Sequence, residues 1–510
     1  MRVYYDSLGD TLRLTAGKYP DKIAVVNYGE SRFTYCELNE RVNKLANTFR
    51  EMGISKGDKV AYLFFNCSQF LEVHYAVAKT GAVGVPLNFR LIGKELSYQL
   101  NNSDAVCIVY GPEFVETVNS IRHEIPNIKY YICDGDGDDS TLIYEKVIAS
   151  GSPDEPNVDV TLYDDFIIMY TSGTTGLPKG TVLTHKNNFL GNIEIALDYR
   201  FKRSDILQIV PPLYHLASLT FSGMALILGQ TLIIHKQVNP QEMLQAIPDE
   251  KITFSWGPGT LWNMLINYPD FEKYDVSSVR LIINGGMTMP SELRQKVLDK
   301  FPNAELGDTY GLTETSVGVS ILPPEDALRK SASVGVPLVF SDVRIFNDHG
   351  EELPPNVVGE IVSAGNFMKG YYKNEKATAE AIKKGWFCTG DLGMKDEEGF
   401  IYLVDRKKDM ISTGGENVYS KEVEDVIYGY PDVLEVAIIG TPDEKWGEVV
   451  TAVIVPKTGK AIVEEDFIKY CRSNMASYKC PKIIKFTESI PKNPSGKILK
   501  RELREIYANA

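Results

Sequence analysis

A stretch rich in glycine and hydroxyl side chains, YTSGTTGLPKG at residues 170–180, has the composition of a loop that binds phosphate. Backbone N–H groups and hydroxyls can donate to phosphate oxygens, and a lysine adds positive charge. The spacing departs from the common P-loop, G-x-x-x-x-G-K-[ST], because Leu177 and Pro178 separate Gly176 from Lys179. A surface turn has the same composition, so the stretch alone leaves both interpretations open.

Two later stretches could complete a nucleotide site. NGGMTMP at 284–290 follows the apolar run VRLIIN, and its two glycines would let the backbone approach a flat ring closely. GDTYGLTETS at 307–316 offers Tyr310 for stacking, Thr313 for a phosphate oxygen and Glu314 as an oxygen ligand for a hard cation. Each side chain could also be ordinary strand end or surface.

Two stretches near the C-terminus add charged groups. FCTGDLG at 387–393 contains Asp391, whose carboxylate can accept from both hydroxyls of a ribose. PKNPSGKILKRELR at 491–504 places Lys497 in a Ser-Gly turn before an amphipathic helix. The apolar stripe of that helix is predicted to consist of Leu499, Leu503 and Ile506. A turn residue and a solvated lysine are the structural alternatives.

The elements that must position these residues alternate along the chain. Strand-like KIAVVNYG precedes a helical pattern at 34–53, and DDFIIMY is followed, after the opening stretch, by a helical pattern at 185–199. This alternation is typical of layered α/β architecture. From about 335 to 404, short β-rich pieces separated by Gly, Pro and Asp predict a small distorted barrel, and the charged stretch at 405–419 predicts a linker.

Composition excludes several classes of protein. The net charge of −14 argues against a nucleic-acid binder, and no apolar run approaches the length of a membrane span. The N-terminus does not have the pattern of a signal peptide. Seven scattered cysteines without CxxC pairs favour a reducing cytoplasm. Peripheral membrane contact and a homodimer stay open.

The five stretches in this order resemble the adenylate-forming superfamily, which includes acyl-CoA synthetases, aryl-CoA ligases, luciferases and peptide-synthetase adenylation domains. The resemblance extends from RFTYCELNERVNKLA at 32–46 to GKILKREL at 496–503. Within it, GGENVYSKEVE at 414–424 and PLYHLASL at 212–219 are most similar to the acyl-CoA ligase branch.

The resemblance implies an α/β fold with two domains. A large N-terminal domain, 1–404, would contain layered α/β subdomains to about 334 and the distorted β-barrel at about 335–404. A hinge at 405–409 would connect it to a small, mobile α+β C-terminal domain at 410–510. Rotation about Lys408 would bring Lys497 into the site for one half-reaction and remove it for the other.

The resemblance also implies which residues bind ATP. The mobile phosphate loop would consist of Thr171, Ser172, Gly173, Thr174, Thr175, Gly176 and Lys179. The two walls of the adenine site would be formed by Gly285, Gly286, Met287, Asp308, Thr309 and Tyr310. The remaining contacts would be made by Thr313 to the α phosphate, Glu314 to Mg²⁺, Asp391 and Arg406 to the ribose, and Lys497 to the carboxylate and the α phosphate.

The other substrates would be bound by two further groups of residues. The passage for the pantetheine arm of coenzyme A would be lined by Gly414, Gly415, Glu416 and Asn417. The acyl pocket would be lined by Tyr214, His215, Trp256, Gly257, Thr288, Val317 and Gly318. His215 would gate this pocket or contact the carboxylate, although a lone histidine beside apolar residues is also a common core residue.

The sequence therefore predicts an AMP-forming acyl-CoA ligase that uses ATP, Mg²⁺ and coenzyme A. The apolar pocket stretches favour a hydrophobic acid, with a fatty acid as the first choice and a benzoate-like acid as an alternative. An acyl-AMP ligase that loads a carrier protein is another alternative, as is a catalytically silent relative. An amino-acid adenylation domain is disfavoured because Tyr214, His215 and Leu216 offer no carboxylate for a substrate amine.

Overall fold

The structure is a computed structural model that describes residues 7–508, except 137, 172–176, 288, 317, 415, 444 and 493–496. Up to the middle of the chain, the elements are α1 (Leu8–Lys18), β1 (Ile23–Asn27), β2 (Ser31–Thr34), α2 (Tyr35–Glu51), β3 (Lys59–Leu63), α3 (Ser68–Thr80), β4 (Val83–Pro86), α4 (Gly93–Asn102), β5 (Ala105–Tyr110), α5 (Val115–Ile121), β6 (Tyr130–Cys133), β7 (Leu142–Ile143), α6 (Tyr144–Ser150), β8 (Asp165–Thr171), β9 (Lys179–Thr184), α7 (His185–Asp198), β10 (Ile206–Ile209), α8 (Leu216–Leu228), β11 (Thr231–Ile234) and α9 (Pro240–Glu250).

The following elements are β12 (Phe254–Gly257), α10 (Gly259–Ile266), β13 (Leu281–Gly285), α11 (Ser291–Lys300), β14 (Glu305–Tyr310), β15 (Ser320–Leu322), β16 (Val336–Pro337), β17 (Asp342–Phe346), β18 (Gly359–Ala364), β19 (Gly370–Tyr371), α12 (Glu375–Ala381), β20 (Ile382–Lys383), β21 (Trp386–Lys395), β22 (Ile401–Arg406), β23 (Ile411–Thr413), β24 (Glu416–Val418), α13 (Ser420–Tyr428), β25 (Val433–Asp443), β26 (Gly447–Pro456), α14 (Glu464–Asn474), β27 (Ile483–Phe486) and α15 (Lys500–Tyr507).

Among the described residues, two large sheets form the α/β layers. One has nine strands in the order β16-β15-β14-β13-β12-β10-β11-β1-β2, and the other has eight in the order β19-β9-β8-β4-β3-β5-β6-β7. The central strands of each are parallel. Antiparallel strands lie at both edges of the nine-stranded sheet and at the β19 edge of the eight-stranded sheet. The expected α/β layering is confirmed.

One buried apolar cluster is shared by the two large sheets. It contains Phe166 of β8, Leu207 of β10 and Phe221 of α8, together with side chains of α1, α2, α3 and α7. A helix layer is therefore buried between the sheets, which explains why α8 is apolar on nearly all sides.

Two smaller sheets follow. The first has the order β17-β18-β21-β20, with β22 beside β21, and corresponds to the β-rich part predicted from the sequence. The second has the order β24-β23-β26-β25, with β27 beside β26. Alternate residues of β25 enter different clusters, because Ile438 packs with α13 and α14 whereas Ile439 packs with α15. The expected small α+β C-terminal domain is confirmed.

Contacts between residues divide the chain into two compact units. Unit 1 consists of 1–343 with 363–387, and unit 2 of 344–362 with 388–510. Part of the β-rich segment is thus grouped with the C-terminal residues, so the boundary at 405–409 and the hinge stay predictions. In the last helix, Leu503 is buried as expected, whereas Ile506 is 62% exposed.

Candidate active site

In unit 1, the ends of two strands bring together residues from separate motifs. Thr171 ends β8 and Lys179 begins β9, and the two residues are cross-strand partners at the base of the Gly/Thr-rich loop. Glu314 lies in a short 3₁₀ turn, Thr313–Thr315, that follows β14. The Thr171 hydroxyl donates to Glu314 Oε1 at 3.2 Å. The loop motif and the Glu314 motif therefore meet in space.

The Glu314 carboxylate has the properties of a cation ligand. Its residue is only 8% exposed, and Oε1 also accepts a 2.9 Å hydrogen bond from the Tyr371 hydroxyl. Within the part of the chain that the structure describes, Oε2 accepts no hydrogen bond and no Lys, Arg or His lies within ion-pair distance. A buried carboxylate without a cation is costly, and carboxylate and hydroxyl oxygens suit Mg²⁺. These residues therefore fit the ion.

Tyr371 is a residue of this site that sequence reasoning missed. It lies on the edge strand β19, which pairs with β9, and its ring is 4.9 Å from Lys179 Nζ. Its contact with Glu314 spans 57 residues of sequence, and no spacing rule connects the two positions.

The ends of strands β13 and β14 carry the positions expected to border an adenine. Gly285 is the register partner of Thr309, and a Cβ on Gly285 would lie 3.6 Å from the Thr309 carbonyl oxygen and 3.8 Å from the Trp256 ring. Gly286 has φ of +81°, which favours glycine. The Met287 side chain is 52% exposed, and Tyr310 is half-buried. Gly286 therefore has open space beside its backbone that a flat ring could occupy, whereas buried Gly285 lies against Thr309 and Trp256.

Asp308 has a supporting role that was not anticipated. Its buried carboxylate accepts hydrogen bonds from Asn284 and Arg294, the latter as an ion pair. Burial raises the pKa of Asp308, and the guanidinium of Arg294 opposes that shift. Tyr199 donates to the Asp308 carbonyl at 2.6 Å and is 2.9 Å from Thr309 Oγ1. The Asp308 side chain thus fixes β14, and only its main chain could border the adenine.

The residues predicted for the acyl pocket separate into two groups. Trp256 is 5% exposed and stacks on Phe221, with ring centres 5.3 Å apart. Tyr214 contacts Phe89 edge-on at 5.1 Å and lies 4.5 Å from the His215 ring. These rings form two aromatic pairs that belong to the same apolar cluster.

The two glycines predicted for this pocket face other side chains. A Cβ on Gly257 would lie 2.5 Å from Leu261 Cδ2, on the strand face opposite to Trp256. A Cβ on Gly318 would lie 2.0 Å from Leu338 Cδ1. Both glycines allow close packing, which is their direct structural role.

In unit 2, the predicted ribose and hinge residues form a connected network. Arg406 Nε lies 2.7 Å from Asp391 Oδ1, and these residues are partners in the β21–β22 pair. Asp405 accepts from the main chain and hydroxyl of Ser420. Lys408 lies at an exposed position, and desolvation of its ammonium by neighbouring atoms lowers the pKa of that group. Lys497 lies at an exposed position.

The predicted coenzyme A passage lies beside an aromatic residue that sequence reasoning missed. Gly414 has φ of +60°, and a Cβ there would lie 2.6 Å from the Trp446 ring. Trp446 is 40% exposed, with Lys482 Nζ at 3.9 Å and Lys445 Nζ at 4.9 Å from its ring centre. A flat ring flanked by two cations can bind a base and its phosphates. Glu416 and Asn417 are exposed nearby in β24.

Some predicted site residues lie outside the described part of the chain. They are Ser172, Gly173, Thr174, Thr175, Gly176, Thr288, Val317 and Gly415. Among the described residues, no cluster of three or more His, Cys, Asp or Glu side chains could hold a metal ion. Mg²⁺ sites often need only one or two carboxylates together with substrate phosphates and water. No helix in the described ranges is long and apolar enough to cross a membrane.

Comparison with known proteins accounts for nearly the whole chain. The family model described as "AMP-binding enzyme" matches residues 12–372, and "AMP-binding enzyme C-terminal domain" matches 422–497. The chain is 38% identical to a feruloyl-CoA synthase of Amycolatopsis sp, covering 94% of this chain and 95% of that protein. It is also 38% identical to the long-chain-fatty-acid–CoA ligase FadD13 of Mycobacterium tuberculosis, covering 94% and 93%.

A solved structure of a related protein is similar over nearly the whole chain. The ATP-bound crystal structure of MatB from Rhodopseudomonas palustris is similar with a TM-score of 0.88 and 29% identity, over 98% of this chain and 99% of that chain. The extent of these matches, at both domains, confirms the resemblance inferred from the motifs. The chain belongs to the adenylate-forming AMP-binding enzymes, in their acyl-CoA ligase branch, and is an AMP-forming acid–thiol ligase that uses ATP, Mg²⁺ and coenzyme A.

Proposed function

We propose that this ligase activates a hydrophobic monocarboxylic acid, with a fatty acid as the first choice. The observation that carries this proposal is the aromatic lining predicted for the acyl pocket, since Tyr214 and Trp256 are buried and pack against Phe89 and Phe221. An apolar chain gains free energy when it leaves water for such a surface. In addition, Trp256 lies against Gly285, so the lining is adjacent to the wall expected to border the nucleotide.

In the first half-reaction, a carboxylate oxygen attacks the α phosphorus of ATP and the bond to the β phosphate breaks. Two anions must approach each other, so the site supplies positive charge and alignment rather than a base. Thr171 and Lys179 flank the loop that would hold the departing pyrophosphate, and Glu314 would hold Mg²⁺. When bound, this ion neutralises charge on the phosphate oxygens. Lys497 would bridge the carboxylate and the α phosphate.

In the second half-reaction, the thiol of coenzyme A attacks the acyl carbonyl and AMP leaves. The segment 414–417 would line the passage of the pantetheine arm, and Trp446 would stack on the base at the far end of coenzyme A. Lys445 and Lys482 flank the Trp446 ring and would bind its phosphates. We infer that the C-terminal domain rotates about Lys408 between the two half-reactions. This rotation would remove Lys497 from the site and bring the coenzyme A surface to it.

A substituted aryl acid is the second candidate, and a specific observation favours it. The Tyr214 hydroxyl and the Trp256 indole N–H are buried and have no hydrogen-bond partner among the described residues. Burying a donor without an acceptor is costly, so a substrate oxygen that accepts from either group would be favoured. A feruloyl-CoA synthase and a long-chain-fatty-acid–CoA ligase are equally similar relatives.

A substrate panel with one matched variant separates the two candidates. The kcat/KM of saturated fatty acids and of methoxy- or hydroxy-substituted aryl acids is measured for the wild-type enzyme and for Tyr214→Phe. If the aryl acid is the substrate, loss of the hydroxyl lowers its kcat/KM about fivefold to tenfold and leaves fatty acids unchanged. If a fatty acid is the substrate, it is preferred by the wild type and the variant equally. A preference for charged dicarboxylates would contradict both candidates.

We also retain the sequence prediction of a cytoplasmic location. The oligomeric state stays open, and light scattering after size-exclusion chromatography distinguishes a monomer from a homodimer.

A further inference from the structure

We propose that Tyr371 is a positioning residue for adenylation, which orients Glu314 toward Mg²⁺ and keeps Lys179 available for the phosphates of ATP. This inference rests on the proposed role of Glu314 as the metal ligand. It concerns the Tyr371 hydroxyl and ring, which contact the two charged residues of the site from the edge strand β19.

The two oxygens of the Glu314 carboxylate have different surroundings. Tyr371 and Thr171 both donate to Oε1, at 2.9 and 3.2 Å. Two donors on one oxygen favour one orientation of the carboxylate, and within the described residues Oε2 has no donor. The free oxygen is therefore the one that a cation would bind. Without the Tyr371 bond, the carboxylate could turn and either oxygen could pair with Thr171.

Tyr371 is itself held in place by main-chain contacts. Its main chain pairs with Thr181 of β9, and its N–H donates to Thr378 Oγ1 of α12 at 2.9 Å. The chain just before Tyr371 also contacts the main chain of Glu314, because the Met368 N–H donates to the Glu314 carbonyl at 2.7 Å. A residue fixed from both sides can hold a ligand in one geometry, as an oriented metal ligand requires.

Lys179 contacts the ring of the same tyrosine. Its ammonium lies over the Tyr371 ring at 4.9 Å, and among the described residues it forms no ion pair. Tyr371 thus contacts both charged residues, because its ring faces the Lys179 ammonium and its hydroxyl donates to Glu314. An ammonium held by a ring can transfer to a phosphate more easily than one locked to a carboxylate.

Tyr371 remains a donor under ordinary conditions. The ordinary pKa of a phenol is about 10, well above neutral pH. The hydroxyl therefore keeps its proton at neutral pH, and its bond to Glu314 persists.

The next residue in the chain provides a matched control. The Tyr372 hydroxyl donates to Asp104 Oδ2 at 2.9 Å, and Lys59 and Lys373 lie over its ring at 5.3 and 5.4 Å. Like Tyr371, Tyr372 therefore contacts one carboxylate and the ammonium group of a lysine. Its carboxylate partner, Asp104, does not belong to the candidate site. Removing either hydroxyl deletes one phenol-to-carboxylate hydrogen bond.

The experiment compares Tyr371→Phe, Tyr372→Phe and Glu314→Gln with the wild type. Binding of ATP is measured by calorimetry without acid substrate, over a titration of Mg²⁺. Tyr371→Phe should shift the Mg²⁺ midpoint about tenfold upward, whereas Tyr372→Phe should leave it unchanged. Thioester formation from supplied acyl-adenylate should be unaffected in Tyr371→Phe. Tyr371→Leu, which also removes the ring, should weaken ATP binding further at saturating Mg²⁺.

The outcomes separate this inference from the function on which it rests. If Glu314→Gln abolishes the Mg²⁺ dependence and Tyr371→Phe matches the wild type, the positioning role is overturned while the role of Glu314 stands. If Glu314→Gln itself keeps the wild-type Mg²⁺ midpoint, the proposed metal ligand is wrong. Equal shifts in Tyr371→Phe and Tyr372→Phe would indicate a general effect on folding and would also overturn the inference.

Discussion

Thr171 and Glu314 are 143 residues apart in the chain, and the Thr171 hydroxyl donates a 3.2 Å hydrogen bond to the Glu314 carboxylate. This bond connects the end of β8 in the eight-stranded sheet to the turn after β14 in the nine-stranded sheet. Both sheets therefore contribute to one site, as parallel sheets do at the ends of their strands. The predictions below test the residues around this junction and those of unit 2.

Replacement of Lys497 should affect only one half-reaction. Lys497→Ala removes the cation expected to bridge the attacking carboxylate and the α phosphate, so adenylation should slow about a hundredfold or more. Thioester formation from supplied acyl-adenylate should persist, and single-turnover assays of each step measure both.

The control for Lys497 is Lys492→Ala in the same segment. Lys492 forms an exposed ion pair with Glu435 at 2.5 Å and should be dispensable for both steps. Equal loss of the two half-reactions in Lys497→Ala would contradict the assignment of different orientations to the two steps.

Loss of the Trp446 ring should weaken coenzyme A binding specifically. Base stacking on an aromatic side chain is worth about 1–3 kcal/mol, so Trp446→Ala should raise the KM for coenzyme A about tenfold with little change in the KM for ATP. Lys482→Ala should act in the same direction. Phe486 is also exposed, at the other end of the sheet, and Phe486→Ala is the control. A changed KM for ATP alone would argue against this assignment.

The buried Arg294–Asp308 pair should matter for stability more than any surface pair. Arg294→Met would leave the Asp308 carboxylate buried without its cation, which costs about 3–5 kcal/mol of unfolding free energy. Chemical denaturation measures this loss. Lys296 lies on the same helix and pairs with Glu292 at 2.6 Å in an exposed position, so Lys296→Ala should cost less than about 0.5 kcal/mol. Similar losses of unfolding free energy in the two variants would show that the buried pair contributes no more to stability than a surface pair.

Glu194 should make stability fall as pH rises. Its side chain is fully buried beside Asn366, and burial raises the pKa of Glu194 to about 7. The folded state then binds more protons than the unfolded state between the ordinary pKa and about 7, so stability declines across that window. The nearby Asp198 carboxylate, whose pKa burial also raises, adds to the shift.

Glu194→Gln should remove this dependence. The variant should be more stable than the wild type by about 1–3 kcal/mol at about pH 8, with the difference shrinking toward about pH 5. Thermal unfolding across that range measures it, with the exposed Glu51→Gln as the control. Parallel pH profiles for Glu194→Gln and the wild type would refute the prediction.

Much of the fold followed from local patterns in the sequence. The alternation of strand and helix on either side of the Gly/Thr-rich loop is observed as β8, β9 and α7, because a buried strand and an amphipathic helix have distinct periods. The same motifs predicted the family. That these motifs lie close together in space was inferred from their order in the chain. The Thr171–Glu314 hydrogen bond now shows this contact for two of them.

The residues that sequence reasoning missed depend on pairing between distant elements. Tyr371 reaches Glu314 only because β19 adds to the edge of the sheet at β9, which no local pattern encodes. Arg294 has the appearance of a solvated residue in a charged helix, SELRQKVLDK, yet it is 1% exposed because Asp308 pairs with it from β14. Ile506 shows the reverse case, since an apolar residue at helical spacing is exposed.

The most direct test of the account is the product analysis of a complete reaction. The enzyme is incubated with ATP, Mg²⁺, coenzyme A and a panel of fatty, aryl, dicarboxylic and amino acids, and nucleotides, pyrophosphate and thioesters are quantified together. We expect equimolar AMP, pyrophosphate and acyl-CoA with hydrophobic monocarboxylic acids as the best substrates. Formation of ADP and phosphate, or a preference for a dicarboxylic or amino acid, would contradict the account.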